Sequence, residues 1–315
     1  MTAAQLSTTP GTLIDAPPLR ERLLLLVLFV TVLASSVAFI EPSPHDVLMG
    51  ALALALLIAG ARIDRILAVP FTLLLIWNLA GLMSLLNVVG QEKTIQYTGT
   101  SIYLALAASL FACLFTQNTS QRLATMRAAY VTTAVLSTIL GVVGYFHLLP
   151  GVGDLFTLYD RATGAFKDPN VYGPFLIWPL LFVLDRMVAR QIYVSDAVIA
   201  AILLFGLLLS FSRGAWFNFA VSCCLVVALV FLTAPSPRER WRVLFLSGAA
   251  VVALMLLVVF LLSIPSLHEM FDIRAQLFQS YDVGQGGRFR LQELAIGSVL
   301  AFPNGMGLKD RKSVV

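Results

Sequence analysis

Apolar residues run along this chain in long unbroken stretches, and polar residues collect in the short segments between them. Nine stretches stand out: Leu23–Ile40, Val47–Ala61, Ile66–Leu86, Ser101–Thr116, Ala128–Leu149, Val171–Leu184, Ile192–Ser212, Gly214–Thr233 and Val243–Ile264. A helix needs about 20 apolar residues to cross a bilayer's hydrocarbon core. The stretches are continuous rather than alternating, which predicts helices and not a barrel. The expected fold is therefore all-α: a polytopic transmembrane helical bundle of about nine spans, followed by part of a large outward loop. Val47–Ala61 is short for a span. Pro174 and Pro179 predict a kink or break in the sixth stretch. Asp196 moves the apolar start of the seventh to Ala197.

Composition agrees with a membrane protein: 59% of residues are hydrophobic and 12% charged, with a mean hydropathy of +0.88. Ser36-Val37-Ala38 resembles a signal-peptide cleavage site, but the apolar core before it is too long and further spans follow, so the first stretch is read as a retained span. Residues 1–19, rich in Thr, Ala and Pro up to Pro18, read as a flexible cytoplasmic tail.

Charge sets the expected orientation. With the N-terminus inside, the inward segments carry eleven basic residues: Arg20, Arg22, Arg62, Arg65, Arg122, Arg127, Arg186, Arg190, Arg238, Arg240 and Arg242. The outward segments before the end of the ninth stretch carry four: Lys93, Arg161, Lys167 and Arg213. Basic residues favour the cytoplasmic side, so the N-terminus is expected there. The net charge of +4 reflects this bias and does not suggest nucleic-acid binding.

Several chemistries find no sequence support. Cys113, Cys223 and Cys224 fall inside predicted spans without metal-ligand spacing and read as packing residues. His45, His147 and His268 lie far apart, and His147 at a span end reads as an interfacial residue. No Gly-rich nucleotide loop, Walker motif or helical zinc pattern occurs. Neither a metal nor a cofactor is expected.

Two outward segments hold the candidate chemistry. Arg213 lies in Ser210-Phe211-Ser212-Arg213-Gly214-Ala215-Trp216, between two spans with almost no loop. A guanidinium at the lipid boundary is costly and usually faces a partner, a cavity or an anion. The bland reading is an arginine snorkelling to the headgroups. The second segment, Arg161 to Asn170, shares its side of the membrane and adds Arg161 and Lys167. Asp168-Pro169-Asn170 predicts a helix start, with Pro at the first turn and Asp168 or Asn170 shaping and capping it. Exposed amides at such a start favour an anion.

Phe166-Lys167-Asp168-Pro169-Asn170-Val171-Tyr172-Gly173, then Ser212-Arg213-Gly214-Ala215-Trp216, then Gly286-Gly287-Arg288 through Phe302-Pro303-Asn304-Gly305-Met306-Gly307 resemble, in order, the O-antigen ligase and O-antigen polymerase superfamily. The resemblance covers residues 150–308, and residues 20–149 match in topology only. It implies a metal-independent membrane glycosyltransferase of the bacterial inner membrane, active on the periplasmic face. The implied donor is a polyprenyl-pyrophosphate-linked glycan, and the acceptor another glycan, lipid A core or a protein. Arg213 and Arg288 align with the family's functional arginines and would stabilise the pyrophosphate leaving group. Arg161 and Lys167 join them through charge and sidedness.

Family members typically continue into a His-containing segment and further spans, the His acting as base toward the acceptor hydroxyl. No such motif occurs before Val315, and His268, the one histidine in the outward loop, lacks the family context. A C-terminally truncated, inactive fragment is therefore expected. Residues 310–315 can be encoded by a common sequencing-library adapter, so residues 309–315 read as an artefactual tail. Two other function classes stay open: a polysaccharide transporter or flippase, for which no internal repeat is visible, and a non-catalytic protein that binds lipid-linked glycan.

Overall fold

Residues 17–60, 64–85, 92–189, 193–275 and 287–301 are described by the computed structural model, and all regular elements among them are helices. In chain order these are α1 (Leu19–Leu33), α2 (Pro44–Ile58), α3 (Ala68–Leu85), α4 (Glu92–Leu114), α5 (Thr119–Tyr145), α6 (Pro169–Ala189), α7 (Val194–Leu209), α8 (Arg213–Thr233), α9 (Pro237–Leu262), α10 (Pro265–Ala275) and α11 (Arg288–Ala301). The tail before residue 17, the glycine-containing segment 302–307 and residues 309–315 lie outside the described residues.

The nine apolar stretches correspond to α1–α9, but not every helix is long enough to cross a membrane. Among the described residues six are long and apolar enough: α3, α4, α5, α6, α8 and α9. The apolar helices α2 and α7 are shorter, and α1 has 15 residues. The protein is a multi-pass helical membrane protein with at least these six candidate spans. Lipid also explains the surface. Trp77 on α3, Phe217 on α8 and Leu256 on α9 are exposed among many other large apolar side chains. So many exposed apolar side chains are unfavourable in water and matched to hydrocarbon.

Two boundaries differ from the sequence pattern. Helix α4 starts at Glu92 rather than near Ser101, because Gln96, Thr98 and Thr100 extend it beyond the apolar stretch. Thr100 returns its hydroxyl to the Gln96 carbonyl, so a polar residue adds no unmet backbone demand. Helix α6 is continuous through Pro174 and Pro179 rather than broken. Its inner face is held by burial of Tyr172, Leu176, Ile177 and Leu180, which offsets the backbone bonds the prolines forgo.

Helix α5 is the axis of the packing. Ala129, Thr133, Ala134, Ser137, Thr138, Gly141 and Gly144 are buried along it. Small side chains let neighbouring backbones approach closely, and hydroxyls then supply bonds across helices. Thr133 Oγ1 donates to the Leu33 carbonyl at 2.6 Å, where α1 ends. On one flank α5 and α4 enclose a core with α1 and α2, centred on Leu24, Leu28 and Leu52. On the other, α6, α7, α8 and α10 share a core around Tyr172, Leu207, Phe211 and Leu267.

At one end of the bundle, Arg122 at the start of α5 reaches Glu21 at the start of α1. Its Nε and Nη2 donate to the two carboxylate oxygens, each at 2.8 Å, and Nη1 donates to the Leu114 carbonyl at 2.8 Å. Both side chains are buried, at 2% and 6% exposure. This hydrogen bonding, with the guanidinium's charge, holds the Glu21 carboxyl below its ordinary value despite desolvation. Arg186 similarly pairs with the buried Asp196. These two of the inward basic residues are therefore paired with carboxylates.

Candidate functional site

The opposite end gathers the end of α7, the start of α8, the start of α6 and the loop 157–168. A helix ending inside a low-dielectric bundle must have its last carbonyls satisfied by protein groups. On α7 each of the last four is, and so is that of its cap residue Ser210. The Gly206 carbonyl accepts from Ser210 N at 3.0 Å, and the Leu208 carbonyl from Phe211 N at 3.0 Å. Leu207 accepts from Ser210 Oγ at 2.6 Å and Trp216 Nε1 at 3.0 Å. Leu209 accepts from Ala162 N at 3.0 Å, and Ser210 from Arg161 Nε at 2.8 Å. The loop thus caps α7, and Arg161 places full positive charge at the helix's negative end.

Arg161 is 6% exposed, and its Nη2 donates to Asn170 Oδ1 at 2.9 Å. Of the two candidate caps at the α6 start, Asp168 does the capping: its Oδ1 accepts from Asn170 N at 2.7 Å. Asn170 instead turns its carbonyl oxygen to Arg161. One guanidinium therefore joins the beginning of α6 to the end of α7, and the α8 start follows within three residues.

Lys167 lies at the exposed edge of this loop and pairs with Glu41 from the segment between α1 and α2. Ala38 N donates to the Ala165 carbonyl at 2.9 Å beside it. Arg213 is the first residue of α8 and is half-buried, and the Ser212 side chain does not cap the helix. Phe211 holds a left-handed φ of +45° just before it. That strain is tolerated because Phe211 is buried between Tyr145 and Trp216, with ring centroids 6.2 Å from each. Arg288 opens α11, and its side chain lies outside the described residues. His268 is on the exposed side of α10, its Nε2 3.3 Å from Asp272 Oδ2. The structure thus brings Arg161, Asp168 and Asn170 together next to the Arg213 turn, and gives Lys167 a partner in a different loop.

Sequence reasoning missed the packing that makes this junction possible. Tyr172 is 0% exposed, with its hydroxyl 3.3 Å from Thr138 Oγ1. A Cβ on Gly206 would lie 2.6 Å from that hydroxyl, and one on Gly173 would lie 2.8 Å from Ser210 Oγ. Both glycines permit α6 to sit against α7 and the α8 start. The available signal was a glycine inside each apolar stretch, which marks a possible close approach but names no partner.

The fold and this junction define a multi-pass helical membrane protein whose loop-capped, arginine-rich helix junction sits at one end of the bundle. Residues 198–314 match the family model described as O-antigen ligase. That match covers the C-terminal part of the chain, which is similar to the O-antigen ligase family. The matched region includes Arg213 and Arg288, while Arg161 to Asn170 precede it. No curated protein and no solved structure matches the chain.

Proposed function

We propose that the full-length protein transfers or polymerises polyprenyl-pyrophosphate-linked glycans at the periplasmic face of the bacterial inner membrane, without a metal or cofactor. The carrying observation is that Arg213, inside the segment similar to O-antigen ligase, opens α8 at a junction built by Arg161 and Asn170. The eleven-to-four basic asymmetry supports a cytoplasmic N-terminus, which puts this junction outside.

In the proposed reaction an acceptor hydroxyl on a glycan, lipid A core or protein forms a bond to the anomeric carbon. The bond from that carbon to the pyrophosphate oxygen breaks, polyprenyl pyrophosphate leaves with the electron pair, and the hydroxyl proton is released to solvent. Negative charge grows on the leaving group, so a fixed guanidinium stabilises the transition state more than the ground state. Arg213 and Arg288 take that role, with Lys167 adding positive charge at the edge of the site. Arg161 serves the same site by holding the junction in place.

The test is glycan transfer from a polyprenyl-pyrophosphate donor to acceptor in membranes carrying the full-length protein or its Arg213→Ala variant. Transfer should fall by about 10²–10³-fold while the variant stays folded and membrane-inserted. Undiminished transfer would remove the role given to Arg213.

A further inference from the structure

Residues 157–162 form a miniature hairpin. Thr157 and Ala162 make an antiparallel bridge, Leu158 N donates to the Arg161 carbonyl at 2.9 Å, and Arg161 N donates back at 3.2 Å. Both central residues, Tyr159 and Asp160, have φ of +53°. A tight two-residue turn of this kind requires left-handed backbone at both positions and ordinarily uses Asn, Asp or Gly there. Asp160 suits it and Tyr159 does not, because a bulky side chain crowds its own backbone in that region.

Core packing does not account for the tyrosine, since Tyr159 is 76% exposed. The root of the hairpin, by contrast, is firmly held. Ala162 N is bonded to the Leu209 carbonyl, and Arg161 to Ser210 and Asn170. A rigid base therefore lifts a strained aromatic residue and an exposed carboxylate out of the junction that leads into Arg213. Strain kept at an exposed position, where a freer residue would fold more easily, points to a binding role. The pairing is chemically specific. An aromatic face packs on the apolar C–H face of a sugar ring, and a carboxylate accepts hydrogen bonds from its hydroxyls. A tyrosine anchored in lipid headgroups would need neither the adjoining carboxylate nor the left-handed backbone.

We infer that Tyr159 and Asp160, at the tip of the Leu158–Arg161 hairpin, form a saccharide subsite that holds the glycan portion of the substrate. This rests on the proposed glycan-transfer reading and assigns its sugar-binding element, distinct from the pyrophosphate contacts.

The test replaces the tip with the unstrained pair, Tyr159→Asn with Asp160→Gly, in the full chain purified in detergent. Two probes are titrated separately: inorganic pyrophosphate, and the soluble oligosaccharide released by mild acid from the host's polyprenyl-pyrophosphate glycan. The double variant should melt at a higher temperature because the turn is relaxed. It should bind the oligosaccharide about tenfold or more weakly, with pyrophosphate binding unchanged. Unchanged oligosaccharide binding, a lower melting temperature, or no oligosaccharide binding by the unaltered protein would each overturn the subsite. Oligosaccharide binding that is lost in the variant, in a protein that does not bind pyrophosphate, would keep the subsite and count against the role of Arg213.

Discussion

Arg161 donates from Nε to the Ser210 carbonyl at 2.8 Å across 49 residues of sequence, and this bond closes the end of α7. The arginine is therefore part of the scaffold from which Arg213 is presented. A second bond, from Nη2 to Asn170 Oδ1, fixes the start of α6 against the same point.

Removing that guanidinium should be felt as lost stability. Arg161→Met leaves the Ser210 carbonyl and Asn170 Oδ1 without their donor, at a cost of about 2–3 kcal/mol for charge-assisted bonds. Arg161→Lys should recover only part, since an ammonium cannot reproduce two donors in a fixed fork. Denaturant titration in detergent would measure both. A Lys variant as stable as the parent would show that charge alone suffices.

The buried pair at the other end should respond to pH. Arg122 holds the Glu21 carboxyl below its ordinary value of 4.5, so the folded state binds that proton less readily than the unfolded chain. The resulting stability is complete above the unfolded value and is lost as pH falls through the lowered folded value. Melting temperature should therefore drop in acid below about pH 4, and a Glu21→Gln variant should lack that component. At neutral pH, Glu21→Ala should cost about 3–5 kcal/mol by stranding Arg122. Equal acid sensitivity in Glu21→Gln and the parent would refute the assignment.

Close packing at α6 and α7 gives a third expectation. Gly206→Ala sets a methyl 2.6 Å from the Tyr172 hydroxyl and 2.7 Å from Thr138 atoms. Overpacking of this sort costs about 1–3 kcal/mol. Adding Tyr172→Phe removes one of the clashing atoms, so the double variant should lose less than the sum of the single losses. Additive losses in a double-mutant cycle would show that the two positions do not meet.

Orientation can be read with topology reporters. A periplasm-dependent reporter fused after Gly151 should be active, and one fused after Arg190 inactive. The reverse pattern would place the Arg161–Arg213 junction in the cytoplasm and exclude a periplasmic reaction.

Helices and their approximate limits were legible in the sequence because their cause is local. In hydrocarbon each backbone amide must bond within its own segment, so a continuous apolar stretch already implies a helix. The start of α6 was equally legible, because Asp168-Pro169-Asn170 shapes its own turn through neighbouring dihedrals. The charges were not legible in the same way. Sequence presented Arg161, Lys167 and Arg122 alike as cations assigned to a side. Only the tertiary structure decided that Arg161 caps α7, that Lys167 pairs with Glu41 126 residues away, and that Arg122 is buried on Glu21 101 residues away. Hydrophobicity is a property each residue carries by itself. What a charge does depends on which distant groups the fold brings within about 3 Å of it.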